Sequence, residues 1–292
     1  MKAKNSVEIS QSPKPTFSGH DSFECRQFWL KKGFDHLMVE AKFNDEAVVP
    51  LGVGRNMVNA IRHWMKSFGM IDQHDKLTDF SRIIFGKKGF DPYLEDESSL
   101  WLLHFQLVTT EFASLYGLIF NEFRKQKPEF TKEHIVRFIL TKYPGFNENT
   151  IGKDFETFTR MYIPKSNEAE ENYDGILSEL NLVEEIKKNI YVIKNEDRQR
   201  IPAEIILYCI LQQSNKKSFD FESLLLDKNS VGSVFALTKQ GLADKLEELG
   251  ENYKREGIVF SNHAGIRELQ FKKTLPSPKE FLTNYYNQTY AG

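Results

Sequence analysis

Residues 52–69 of this chain, GVGRNMVNAIRHWMKSFG, decide the fold class. Met57, Ile61, Trp64 and Phe68 fall at steps of four, three and four, which builds one apolar helical stripe. Gly69 follows where a left-handed residue ends such a helix. Arg55, Asn59, Arg62 and Lys66 repeat the same steps two residues out of phase, so they line the opposite face. Upstream, the short apolar segment Ala47 to Leu51 leads into Gly52-Val53-Gly54. Downstream, Met70-Ile71 and Lys76-Leu77-Thr78 predict two extended pieces about a polar tip, and Asp79 to Phe85 a closing helix. Helix, glycine turn, amphipathic helix and small hairpin form the outline of a winged helix-turn-helix.

The pattern recurs further on. Thr131 caps a helix with Glu133 in its first turn and Ile135, Phe138 and Ile139 on its buried face. Pro144-Gly145 breaks it, and Asn149 to Tyr162 predicts a second amphipathic helix with Ile151, Phe155, Phe158 and Tyr162 inward. Ile190 to Ile193 is the expected last strand of its wing. Pro202 opens a third unit with a buried helix at 203–211, then a helix from Thr238 to Leu249 ended by Gly250, then an extended stretch from Ile258 to Phe271. The expected fold is therefore mainly α, with tandem winged helix-turn-helix-like units and short β-hairpin wings. Its divisions are an N-terminal arm and DNA-binding unit at 1–95, a helical unit with a second winged-helix-like element at 96–198, and a mainly helical C-terminal unit at 199–292.

Composition bounds the function. The chain has 292 residues, with 39 Lys and Arg against 41 Asp and Glu, a formal charge of −2. That balance excludes a histone-like polycation. Two distant cysteines, Cys25 and Cys209, exclude a disulfide framework and a zinc ribbon. The polar, lysine-bearing start lacks the apolar core of a secretory signal. The apolar run Leu100 to Phe123 holds His104, Gln106 and Glu111, so a buried core helix is expected rather than a membrane span. A cytoplasmic protein with no membrane partner is the expectation.

The overall charge hides local choices of sign. Gly52 to Lys66 contains three basic residues and no acidic one, whereas 166–186 contains seven acids and no base. Arg grips phosphate or pairs with guanine, and Asn matches the adenine edge. Gly52 and Gly54 permit a turn whose N–H groups, at a helix start, hold a phosphate. The candidate DNA-binding residues are thus Gly52, Gly54, Arg55, Asn56, Asn59, Arg62, His63 and Lys66. Asn149, Lys153, Thr157 and Arg160 occupy the equivalent face of the second amphipathic helix, and Lys153 and Arg160 join the set. The plainer alternative is that any exposed helix face is polar.

No catalytic motif is complete, and no motif binds a cofactor. Asp91 and Glu95, with Asp96 and Glu97, form a carboxylate cluster of the kind that holds Mg2+ or Mn2+ in a nuclease. Carboxylates in this position also cap the following helix. His20 and Asp21 form a second cluster, a candidate general base or a turn-forming pair. His104 lies in an apolar helix and is expected to be a satisfied core histidine. Both cysteines are expected to be packed rather than reactive.

Several strings follow one another in a familiar order: 17–23 (FSGHDSF), 29–32 (WLKK), 51–58 (LGVGRNMV), 91–96 (DPYLED), 101–104 (WLLH) and 264–267 (AGIR). Together they resemble the SspB-like family of bacterial DNA phosphorothioation proteins, long labelled a domain of unknown function and associated with phage defence. The resemblance implies a DNA-nicking protein working with a cysteine desulfurase, an ATPase and a sulfur transferase. Mg2+ or Mn2+ would serve such a nickase. It carries over 52–58 as a DNA-contacting element and fixes no nuclease residues. The function expected is a DNA-binding component that nicks one strand for sulfur incorporation; the alternative is a non-catalytic DNA-binding adaptor or transcription regulator.

Overall fold

The computed structural model describes residues 14–39, 42–164, 174–263 and 266–290. The acidic run at 166–173, Ala264-Gly265 and the residues before 14 lie outside them. The N-terminal unit begins with α1 (Trp29–Met38) and the short α2 (Val48–Leu51). Gly52 ends α2 in the left-handed region at φ +63°, which only glycine adopts without strain. The amphipathic helix α3 (Arg55–Ser67) follows, with Val58, Ile61, Trp64 and Met65 buried. α1 packs across it at Gly33, where a Cβ atom would come within 2.9 Å of the Met65 sulfur.

The hairpin expected after α3 is reduced to one bridge, Ile71 opposite Leu77. The reason is local. The Asp72 carboxylate accepts the N–H groups of His74 and Lys76 at 2.8 and 2.9 Å, closing the turn at once. Thr78 then caps α4 (Asp79–Phe85) by accepting from Ser81 N–H, so no residues remain to lengthen the strands.

The long apolar run is divided. Asp96 caps α5 (Glu97–Thr109), a helix buried on nearly every side. The chain then turns at Glu111, which takes a φ of +56°. It continues as α6 (Ser114–Leu118), a π-helical turn at Ile119–Phe123, and α7 (Arg124–Gln126). This corrects the expectation of one uninterrupted core helix: Thr110 donates to the Ser67 carbonyl at 2.8 Å, and the chain doubles back onto α5. No helix among the described residues is long and apolar enough to cross a membrane.

The middle unit runs β1 (Glu129–Phe130), α8 (Lys132–Lys142), α9 (Glu148–Tyr162), β2 (Glu184–Lys187) and β3 (Ile190–Val192). Thr131 and His134 complete a capping box at the start of α8. The strands form an antiparallel sheet in the order β1-β3-β2, with Tyr191 opposite both Phe130 and Glu185.

The C-terminal unit repeats that order. It contains α10 (Ala203–Gln213), β4 (Ser218–Asp220), α11 (Phe221–Leu226), α12 (Val231–Val234), α13 (Lys239–Asn252), β5 (Ile258–His263) and β6 (Ile266–Phe271). Its antiparallel sheet has the order β4-β6-β5, again placing the first strand beside the last. α13 passes through Gly250 and ends at Asn252, later than expected. α14 (Pro278–Tyr290) packs on α10, and Tyr286 shares a 2.8 Å hydrogen bond with Ser99 of α5.

His104 shows how the core accepts polar groups. It is fully buried, with Nδ1 sharing a hydrogen bond with the Tyr162 hydroxyl and Nε2 one with the Val234 carbonyl, both at 2.8 Å. It is the satisfied core histidine that its apolar setting predicts. Cys25 and Cys209 are free thiols at 0% exposure, and burial pushes both pKa values up.

Candidate nucleic-acid interface

α3 positions the first candidate set. Its N-cap is Gly54, which has no side chain to satisfy the first-turn N–H groups. A Cβ at Gly52 or Gly54 would meet nothing within 4 Å, so the turn before the helix faces open space. Arg55, Asn56, Asn59 and Arg62 are exposed along the face, and Lys66 is half-buried at its end.

Two carboxylates moderate this face. Arg55 pairs with Asp45 at 2.7 Å, both side chains being about 70% exposed. Asp75, at the tip of the one-bridge hairpin, takes Arg62 at 2.7 Å and Lys66 at 3.0 Å. Burial works against the charged form of Asp75, but hydrogen bonds from Arg62 and Lys66 outweigh it and hold the carboxyl below its usual range. Sequence spacing missed both acids because each reaches α3 from a neighbouring turn.

His63 is not on the exposed face of α3. It is 7% exposed, its ring packs on Trp64, Phe112 and His20, and its Nε2 has no partner among the described residues. The cause is the loop 17–24, which lies over α3 so closely that a Cβ at Gly19 would fall 2.6 Å from His63 Nδ1. Burial first, then neighbouring His20, pushes the His63 pKa down to about 3.

The same loop accounts for His20. Its Nε2 lies 3.0 Å from Asp154 Oδ1 and its Nδ1 accepts the Ser22 N–H at 3.1 Å. With Nδ1 accepting from a backbone N–H, Nε2 faces Asp154 as the donor, so both ring nitrogens are engaged in holding the loop. Asp154 Oδ1 also accepts the Ser18 N–H at 2.8 Å. Arg160 closes the loop from the other end, donating to Glu24 at 2.9 Å and to the Ser22 carbonyl at 2.6 Å. Arg160 therefore faces inward, and Thr157 is buried, whereas Asn149 and Lys153 remain exposed on α9. Asp21 is exposed at a left-handed φ of +47° and makes no pair with His20.

Asp91 is likewise occupied. It is 4% exposed, and its two oxygens accept the N–H groups of Glu95 and Asp96 at 2.8 and 3.1 Å. Glu95 is exposed and does not turn back to it. The Asp91 carboxylate shapes the turn into α5, with Asp96 as the cap. Among the described residues no group of three or more His, Cys, Asp or Glu side chains is arranged to hold a metal ion.

Fourteen α-helices and two small antiparallel sheets among the described residues, with the basic face of α3 exposed, define a mainly helical protein. The chain belongs to the DUF4007 family, described as proteins of unknown function, whose model matches residues 17–286. A crystal structure of SspB is similar at a TM-score of 0.80 and 26% identity, covering 95% of this chain and 88% of the other. A magnesium ion-bound SspB structure is similar at 0.78 and 25%, with the same coverage. No curated protein matches the chain.

Proposed function

We propose that the chain is a DNA-binding component of a bacterial DNA phosphorothioation system, with α3 laid into the major groove. The observation that carries this reading is the exposed row Arg55, Asn56, Asn59 and Arg62 behind an uncapped glycine turn. Similarity to SspB over 95% of the chain supports the system assignment. The division near residues 95 and 198 into two winged-helix-like units and a mainly helical C-terminal unit is supported by the strand, helix, helix, hairpin order of the middle unit. Lys153 on α9 is a secondary phosphate contact. In this reading the protein works in the cytoplasm beside a cysteine desulfurase, an ATPase and a sulfur transferase.

The test of DNA binding is fluorescence anisotropy with a labelled duplex across a salt series. The double variant Arg55→Ala, Asn59→Ala should weaken binding, and unchanged binding removes α3 from the interface. Strand nicking is the activity the family resemblance implies. A purified chain converting supercoiled plasmid to open circle with Mg2+ or Mn2+ supports it. The engagement of His20 and Asp91 in loop-holding bonds favours a second reading, a non-catalytic DNA-binding adaptor, which predicts no conversion with either metal.

A further inference from the structure

A cleft of about 770 Å³ opens between the middle and C-terminal units, far in sequence from α3. β3 and the residues after it form one side, and α11, α12 and the start of α13 the other; α7 supplies Arg124 and Lys125. Val192, Ile193, Leu225 and Leu237 give it apolar walls. Four cations, Arg124, Lys125, Lys194 and Lys239, also line it, and no described carboxylate does.

The cations differ in kind. Lys194 and Lys239 are exposed and bridged outward to Glu184 and Glu222. Arg124 is only 7% exposed, and among the described residues no carboxylate lies within ion-pair distance of it or of Lys125. Its Nε donates to the Phe120 carbonyl, Nη1 to Asn195 Oδ1, and Nη2 to the Gly232 and Ser233 carbonyls. A guanidinium has five N–H groups, so one on Nη1 is left over. Lys125 donates to the Leu226 carbonyl and the Ser233 hydroxyl, both at 2.7 Å, leaving one ammonium N–H.

Neutral acceptors fix the direction of both groups; the charge of Arg124 is left uncancelled, while Lys125 also feels Asp227 and Glu122 beyond ion-pair distance. A buried cation without a counter-charge is unfavourable, so an incoming anion would gain from meeting it. Burial, then the nearby Arg198, lowers the Arg124 pKa to about 10. A bare inorganic anion would have no need of the apolar walls. An anion with a flat, weakly polar body uses both halves of the cleft, and the Asn195 amide is of the kind that hydrogen-bonds a base edge. The volume lies within the roughly 300–1,000 Å³ of small-molecule sites.

We propose that this cleft binds a nucleotide, its phosphate held by Arg124 and Lys125 and its base against Val192, Ile193 and Leu237. The test is titration calorimetry of the full chain with ADP, adenosine, inorganic phosphate and a short 5′-phosphorylated single strand. ADP should bind at least about tenfold more tightly than adenosine or phosphate, as expected when one charge-assisted contact and one apolar contact are combined. Arg124 also supports the fold, so the variants are Lys125→Gln and Leu226→Asp at the exposed edge, each weakening ADP by about tenfold. No binding of ADP at millimolar concentration overturns the proposal. So does binding that both variants leave unchanged, or phosphate binding as tightly as ADP. A strand binding more tightly than ADP, with the same sensitivity to Lys125→Gln, keeps the site and identifies a DNA end as the source of the nucleotide. Arg55→Ala should leave ADP binding unchanged, which separates this test from that of the α3 interface.

Discussion

Asp154 on α9 reaches across 134 positions of sequence to His20, with Oδ1 3.0 Å from the ring Nε2. The same oxygen holds the Ser18 N–H, so one carboxylate anchors the loop that covers His63 and stacks His20 on Trp64. The loop 17–24 is therefore clasped to α9 through this carboxylate.

Removing one side of that clasp should be costly. Asp154→Ala leaves a buried imidazole N–H and a backbone N–H without acceptors, and stability should fall by about 3 kcal/mol. Urea denaturation measures it. A loss below about 0.5 kcal/mol, the scale of an ordinary surface substitution, would rule out a clasp at this position.

Asp75 should act as a brake on DNA binding. Asp75→Asn releases Arg62 and Lys66 from their shared carboxylate. Duplex affinity at low salt should rise roughly fivefold to tenfold, with a salt slope steeper by about 1. Arg62→Ala, made in a chain that keeps Asp75, should cost less than Arg55→Ala, because Arg62 is the more tightly engaged. Anisotropy across the salt series decides both points.

Two buried histidines set the acid limit of stability. Burial pushes the pKa of His63 and of His104 down to about 3. The unfolded chain then binds more protons than the folded one below the ordinary value near 6.5, so stability is lost as pH falls through that value toward 3. Between pH 7 and pH 5 each should remove about 2 kcal/mol. Thermal melts at the two pH values check this, and His104→Gln should flatten the dependence by about half.

Asp91→Ala separates a structural carboxylate from a functional one. Losing the acceptor of two backbone N–H groups should cost about 2 kcal/mol. Duplex affinity should not change, since Asp91 is buried at the entry to α5 and the proposed contacts lie on α3. A large fall in affinity without a fall in stability would place Asp91 at the interface.

Much of this was legible locally. The apolar steps of α3 and α9, Thr131 and Asp96 as caps, Gly69 as a left-handed stop and His104 as a core residue all follow from periodicity and short-range hydrogen bonding. The exposed row Arg55, Asn56, Asn59 and Arg62 follows from the same phase. His63 sits on the flank of that row, and helical phase places it at the surface with the row, because phase gives direction and not what covers a face. The break at Glu111 was hidden because an apolar run carries no sign of where a chain doubles back.

The sequence by itself determined a mainly helical chain, the two faces of α3, and a local basic charge inside a balanced total. The tertiary structure decided which of those groups are available. Asp75 neutralises part of the basic row, the loop 17–24 buries His20 and His63, and Arg160 turns inward to Glu24. It also gathered Arg124, Lys125, Lys194 and Lys239 around one cleft. The physical reason is range: helix period and capping act over a few residues, whereas charge pairing and burial depend on distances that only packing sets.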